Sequence, residues 1–469
     1  MKRKINRRDF LKIGGTAGLG AALGSCAVRK SGTIPQTYPQ TQPSEHLAAK
    51  PMDTVRIGYV GIGNQGSGHI MNLLRIEGAE IKAVCDIREE RTLWAQEQCR
   101  LSGMPIPTAY NTGPEDFRRM CDTEDLDLVY NATPWRWHVP VSVKAMESGA
   151  HAASEVPGAI TLEGCWKLVE TSEKYNKHCC TMENCNYDQT ELMLFNMIRQ
   201  GLFGELLHAE CGYLHDLREY KFGNIYYPPD WRLKYSIKRN ADLYPTHGLG
   251  PVAQWMDITR GNRFEYLISM SSPSPSLSLK REAIKRYGSD HPLAKTDYAL
   301  GDVVTTLIKT TKGQSILVTH DTNSPRPYSR KILVQGTRGL ARKYPEQKIY
   351  IEGLSPSHEW EDLSEYREQY KHPLLKSLEE KAQGAGHGGM DFIEDYRLIQ
   401  CLREGKPTDS DVYDGVTISA VVALSEKSIA ANSSPVKFPD FTRGKWKNRK
   451  PLGIVTAEEY GDIPLGTTL

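Results

Sequence analysis

The chain has 469 residues, of which 39% are hydrophobic and 25% charged, with a net charge of +2 and a pI near 7.9. That length supports two or three domains, each burying a core of its own. The near-neutral balance argues against the broad basic field of a nucleic-acid binder and the acidic excess of a disordered tail, leaving a small molecule as the expected partner.

The first segment, "INRRDFLKIGGTAGLGAALGSC", pairs Arg7 and Arg8 before Phe10 and Leu11 and continues as a weakly apolar stretch from Ile13 to Leu23. This is a twin-arginine export signal over residues 1–25, too short for the ~20 residues that span a membrane. Export to the periplasm or cell envelope is expected. Leu23-Gly24-Ser25-Cys26 resembles a lipobox, which makes Cys26 the expected lipidation site and mature N-terminus; a plain signal with a chance cysteine is the alternative. Residues 26–53, rich in Pro, Gln, Thr and Ser, form a tether. The cysteines beyond Cys26 show no CxxC spacing, and Cys179 and Cys180 are adjacent, so they are expected to be reduced core residues.

From 54 to 182 short apolar runs, "TVRIGYVGI", "AEIKAVCDI", "LDLVYNAT", "AHAASEV" and "KHCCTME", alternate with helical stretches. The pattern predicts βαβ units, an α/β fold with an N-terminal Rossmann domain. Gly61, Gly63 and Gly66 stand in GxGxxG spacing after the first strand and open a helix, where the backbone can approach a pyrophosphate. Asp86, twenty residues past Gly66, ends the second strand, where a carboxylate accepts from an adenosine ribose and repels a 2′-phosphate, so NAD is expected over NADP. In "NATPWRWHVP", Trp135, Arg136, Trp137 and His138 follow a later strand and form an expected cofactor-side wall; surface packing is the alternative.

After a helix at about 190–200 come longer alternating strands, "GELLHAECGYLH", "DVVTTLIKTT" and "QSILVTHDTN", the last two joined by a hairpin at Lys312-Gly313. Residues 183–440 are therefore expected to form an α+β substrate domain with an open, mainly antiparallel sheet. Helices at about 389–404 and 412–431 are expected to pack against both domains, and 441–469 to form a tail. The active cleft falls between the domains.

"SEVPGAI" resembles the glucose-fructose oxidoreductase and inositol dehydrogenase superfamily, whose members usually carry Glu-Lys-Pro where this chain has Glu155-Val156-Pro157. Relatives also place an aspartate four residues before the catalytic histidine, where this chain has Leu243 before His247. Both departures argue against an ordinary sugar dehydrogenase. The block "NADLYPTHGLGPVAQWMDITRGNRFEYLISMSSP", with "MENCNYD" and "GYLHDLR", resembles the NAD-dependent α-N-acetylgalactosaminidases of glycoside hydrolase family 109, from about Val55 to near Asp440.

That resemblance implies that Asn64, Gln65, Asp86, Trp135 to His138, Glu155, Val156 and Asn184 line NAD. It implies that Tyr213, Arg232, Tyr244, Pro245, Thr246, His247 and Tyr328 face a terminal N-acetylhexosamine. It implies hydrolysis by a redox cycle with no net oxidation: hydride leaves sugar C3, a base takes the C2 proton, the aglycone leaves C1, water adds, and the hydride returns. His247, Tyr244, Glu155 and Tyr187 are the expected catalytic groups, and no metal is called for. Read from residues alone, His247 is a base available near neutral pH, although a lone histidine is as often structural. Tyr328 in "TNSPRPYSR" is nearly as well read as an exposed loop tyrosine, and Arg232 in "DWRL" as a surface charge. An NAD-dependent sugar dehydrogenase and a non-catalytic sugar-binding relative remain as alternatives, and an assembly of identical chains remains an option.

Overall fold

The structure is a computed structural model that describes residues 49–452. The twin-arginine pair, Cys26 and most of the expected tether lie outside the described residues. Residues 55–182 form a six-stranded parallel sheet in the order β3-β2-β1-β4-β5-β6. Its strands are β1 (Val55–Val60), β2 (Ala79–Cys85), β3 (Thr108–Tyr110), β4 (Leu128–Asn131), β5 (His151–Glu155) and β6 (Cys179–Met182). Helices α1 (Asn64–Leu73), α2 (Glu89–Leu101), α3 (Asp116–Thr123), α4 (His138–Glu147) and α5 (Leu162–Tyr175) connect them. β4 and β6 are buried at every position, as strands covered by helices on both faces must be. The Rossmann expectation holds; only the three-residue β3 escaped the sequence pattern.

After α6 (Gln189–Arg199), β7 (Leu206–Leu214), α7 (Trp231–Lys238) and α8 (Thr246–Trp255) come the remaining strands of a second sheet. They are β8 (Phe264–Ser271), β9 (Val304–Thr310), β10 (Ser315–Asp321), β11 (Leu333–Gly336), β12 (Gly339–Arg342), β13 (Lys348–Ile351), β14 (Glu361–Asp362) and β15 (Val436–Lys437). The nine strands run β14-β13-β12-β11-β7-β10-β9-β8-β15, and only β7 and β10 pair in parallel. Along β9, inward Val304, Thr306 and Ile308 alternate with Thr305, Leu307 and Lys309, the period of a sheet with one face covered.

The C-terminal helices return to the first domain. α9 (Met390–Glu404) packs on α1, and α10 (Val412–Ser419) on α5 and β6, while α11 (Val421–Ala430) covers β8. The segment expected as a tail is packed at its start: Phe441 is buried against Trp166 of α5, and Arg443 pairs with the buried Glu173 of the same helix. All described cysteines are buried and free. Among the described residues no helix is long and apolar enough to cross a membrane.

Candidate active site

The glycine turn between β1 and α1 is built for close approach. Gly61 has φ +89°, and a Cβ on Gly66 would meet the Gly61 carbonyl oxygen at 2.1 Å, so side chains are excluded at both positions. A Cβ on Gly63 would meet nothing within 4 Å, which leaves open space beside the first amides of α1 where a pyrophosphate fits. Asp86 lies just past β2 and accepts the Ile62 amide at 2.7 Å and the Arg88 amide at 2.9 Å. It thus braces the turn. Arg88 is close by, its Nε 3.6 Å from the same carboxylate and without a hydrogen-bond partner among the described residues. These residues fit a dinucleotide.

On the opposite wall, α8 begins in the sequence Tyr244-Pro245-Thr246-His247. Two glycines let this helix press close to its neighbours. A Cβ on Gly248 would meet the Gly212 amide of β7 at 2.3 Å, and one on Gly250 would meet Cγ of Glu183 at 2.6 Å. Glu183 follows β6, is 1% exposed, and receives His247 Nδ1 at 2.7 Å. Burial drives the Glu183 carboxyl up, but the His247 ring and its hydrogen bonds outweigh that and hold it below the ordinary range, so it is ionised. A carboxylate only accepts, so Nδ1 carries the proton and Nε2 is left as the basic nitrogen. An acid that follows β6 thus meets His247 where Leu243 offers none.

Around this pair stands an aromatic wall. The Tyr213 ring lies 4.7 Å from Tyr244 and 5.2 Å from His247, and Tyr244 lies 4.8 Å from His247. Tyr213 Oη is 2.9 Å from His215 Nδ1; burial and then Arg232 depress the His215 proton affinity, so His215 accepts and the phenol donates. Tyr328, 39% exposed, reaches His215 at 5.0 Å and Tyr213 at 6.1 Å. Its loop is fastened by buried Arg330, which bonds Asp188 at 2.8 Å and Glu191 at 2.5 Å. The Arg232 guanidinium packs over Trp135, Tyr226, Trp231 and Tyr244 at 4.7 to 5.2 Å. Its buried Nε has no hydrogen-bond partner among the described residues, an orphan donor suited to a hydroxyl- or carbonyl-bearing ligand.

The expected residues separate into those the fold gathers and those it does not. Tyr213, Arg232, Tyr244, His247 and Tyr328 converge, with Pro245 and Thr246 supplying the start of α8. Trp135 joins them, packed on Trp231, Tyr235 and Tyr244. Trp137 instead packs on Phe117 with Arg136 over its ring, on the flank of the first domain. His138 is buried, its ring bridging the Thr133 and Pro157 carbonyls at 2.7 and 2.8 Å, so it fixes the loop and offers no free polar atom. Tyr187 is withdrawn from the reaction: its buried hydroxyl donates to Asp409 at 3.0 Å, and Arg397 holds the same carboxylate.

Glu155 is braced from below. Its Oε1 lies 2.8 Å from His69 Nε2, and Asp395 of α9 lies 2.8 Å from Nδ1 of the same ring. Burial opposes charge on His69, but the two carboxylates outweigh it and raise its proton affinity well above the ordinary value. Glu183, His215, His69 and Asp395 were all missed by sequence reasoning. For Glu183 a signal existed, since it directly follows a parallel strand, at the carboxyl edge where such sheets bind ligands.

Residues 187–448 match the glycosyl hydrolase 109 C-terminal domain, 55–183 the NAD-binding Rossmann fold of an oxidoreductase family, and 4–24 a twin-arginine translocation signal. The chain is 44% identical over 463 residues to a glycosyl hydrolase family 109 protein of Shewanella pealeana, covering 96% of this chain and 99% of that one. It is 43% identical over 458 residues to an α-N-acetylgalactosaminidase of Shewanella oneidensis, covering 97% and 99%. In fold it is similar to a levoglucosan dehydrogenase solved with NADH and levoglucosan, at 20% identity and a TM-score of 0.64 over 82% of this chain and 100% of that one. A scyllo-inositol dehydrogenase from Lactobacillus casei gives 15% identity and a TM-score of 0.57 over 82% and 99%. The protein is an NAD-dependent enzyme carrying a twin-arginine signal, and the chain belongs to glycosyl hydrolase family 109.

Proposed function

We propose that the enzyme hydrolyses α-N-acetylgalactosaminides with His247 as the base that removes the C2 proton. The observation that carries this reading is the His247–Glu183 hydrogen bond at 2.7 Å beneath the aromatic wall. Glu183 accepts the Nδ1 proton, keeps Nε2 free to take a proton and stabilises the imidazolium that results. Burial raises the Tyr244 phenol well above its ordinary value, so Tyr244 serves as a hydrogen-bond donor to the sugar rather than as the base. Arg232 and Tyr213 bind and orient hydroxyl or N-acetyl groups, and the aromatic faces exclude water. Asn64, Gln65, Asp86, Glu155, Val156 and Asn184 would hold NAD, which when bound would supply a reversible hydride acceptor for sugar C3 and leave net redox at zero. The test is an assay of aryl α-N-acetylgalactosaminide with exhaustively dialysed protein and no added cofactor. Cleavage with NAD recoverable on denaturation supports the reading. Stoichiometric NADH release with an oxidised sugar overturns it in favour of a dehydrogenase.

Cofactor choice gives a prediction at Asp86. Replacing it by Ser removes the ribose acceptor and one brace of the turn, and NAD affinity is expected to fall by roughly tenfold or more, the worth of a hydrogen bond to a charged group. Arg88 is already beside that position, so Asp86→Ser alone is expected to admit NADP without an added arginine. Competitive binding after cofactor stripping checks this, and unchanged exclusion of NADP would refute it.

The N-terminus gives another. Changing Arg7 and Arg8 together to Lys is expected to leave full-length precursor in the cytoplasm, as followed by fractionation. Cys26 is proposed as the acylated first residue of the mature protein, which would anchor it to a membrane surface. Mass spectrometry finding an unlipidated terminus beyond Cys26 would remove the anchor and leave export intact.

A further inference from the structure

Glu183 and Cys185 stand two residues apart just after β6, and His247, in the first turn of α8, meets both. The ligating atoms of Glu183, Cys185 and His247 all lie within 4.8 Å of one another, and among the described residues no other three such groups come as close. Oε1 of Glu183 is engaged: it receives His247 Nδ1 at 2.7 Å and the Cys185 amide at 3.1 Å. Oε2 is buried and has no hydrogen bond among the described residues, and the Thr246 hydroxyl, which helps to hold the carboxyl ionised, is itself buried and unpaired. A buried carboxylate oxygen with lone pairs unused carries a desolvation cost that a ligand would offset. Cys185 is 1% exposed, and its thiol donates to Asn184 Oδ1 at 3.4 Å. The His247 side chain, at 14% exposure, opens this group to solvent.

We propose that Glu183, Cys185 and His247 form a site for a thiophilic divalent cation of the zinc class, and that its occupation switches the enzyme off. A carboxylate, a thiolate and an imidazole are donors such ions take, and three protein ligands leave the fourth tetrahedral position to water. Around one zinc ion, with bonds of about 2.0 to 2.3 Å, donor atoms stand roughly 3.3 to 3.7 Å apart, so shifts of about 1 Å bring these side chains onto it. Burial keeps Cys185 a thiol in the metal-free enzyme. The cation displaces that proton to solvent and binds the thiolate. Two anionic ligands then balance its charge, and the neighbouring cation, Arg330, is already taken by Asp188 and Glu191. The switch rests on the reading of His247 as the base. Bound through Nδ1, the metal takes that lone pair and the ring proton moves to Nε2; bound through Nε2, it occupies the base itself. The cation takes no part in the reaction.

The experiment titrates the untagged, NAD-loaded enzyme with cadmium under reducing conditions and follows thiolate-to-cadmium charge-transfer absorption in the ultraviolet, a readout independent of activity. Wild type is expected to bind one cadmium per chain with that absorption. Cys185→Ala is expected to lose the band and to bind cadmium at least about tenfold more weakly, since even a partner behind a metal ligand is worth about ten- to a hundredfold. Its retained NAD and basal turnover would show that it folds. Cys185→Ser, which keeps a polar atom of similar size, is expected to behave alike and replaces the alanine variant should that one not fold. Zinc is expected to inhibit wild-type cleavage of aryl α-N-acetylgalactosaminide, reversibly on chelation, and the Cys185 variants to need at least about tenfold more. Wild type without the band, or the same band and affinity in the variants, would overturn the site. Full occupancy with undiminished turnover would overturn the switch and the base reading together, leaving the cation site standing.

Discussion

His247→Ala is expected to lower turnover by a factor on the order of 10² to 10⁴, the usual contribution of a positioned base, while one NAD per chain stays bound. Glu183→Gln is expected to fall nearly as far, although the substitution changes almost no volume. The amide introduced there can present N–H to the imidazole, which then accepts at Nδ1 and carries its proton on Nε2, where the base is needed. Glu183 is buried against α8, its side chain 1% exposed. Its loss is therefore expected in kcat, with KM within a factor of about three of wild type. Glu183→Asp keeps an acceptor at shorter reach and is expected to recover part of the rate. A Glu183→Gln enzyme that folds, retains NAD and turns over at the wild-type rate would make Glu183 structural and return the base assignment to Tyr244. The same outcome in His247→Ala would do so more directly.

The fold was legible in the sequence because its parts announce themselves locally. β1 and the glycine turn carry a periodic apolar run and a steric requirement for glycine, and both survive unchanged in the structure. The β9–β10 hairpin was visible for the same reason, two alternating strands around Lys312-Gly313. The short strands β11 to β14 were not, since runs of two to four residues hold too little pattern to separate from loops. The return of α9 to α1 was beyond reach in detail, because Asp391 and Asp395 read as ordinary helical charges until Gln65, His69 and Asn72 are placed opposite them.

The site was legible to a different degree on its two sides. His247 and Tyr244 lie within one short motif, so a single block of sequence carried them together. Glu183 and His247 are 64 residues apart, one just after β6 and the other on α8, and no local spacing connects them. The missing aspartate at Leu243 was noticed, but a sequence cannot say from which element a compensating acid will come. Tyr187 shows the reverse error. It is close to Glu183 in the chain, yet the turn at 184–187 points its hydroxyl to Asp409 while Glu183 meets His247. Proximity in the chain places residues on the same loop and leaves their directions to the packing around them.

Hydrolysis of substrate deuterated at C2, run in ordinary water, is expected to return sugar that carries protium at C2. In the proposed route the C2–D bond must break before the aglycone can leave C1, because the electron pair that expels it comes from that bond. The deuteron passes to His247 Nε2. His247 is partly exposed at the cleft, so its nitrogen-bound deuterium exchanges with water, and the hydrogen restored to C2 is drawn from solvent. Washout is then expected to approach completeness, read as a one-unit mass loss in the released sugar. A primary isotope effect on kcat is expected wherever deprotonation limits the rate. Glycosidases that flank the scissile bond with two carboxylates never touch C2, so they would retain the label through full hydrolysis. Retention here, with efficient cleavage, would reduce the glycine turn to a scaffold and refute the redox-assisted route. His247→Ala separates the assignment of the base from the route itself. If its residual turnover still exchanges C2, elimination stands and another group, or water, takes the proton in the variant; if that residual turnover keeps the label while wild type loses it, C2 exchange depends on His247.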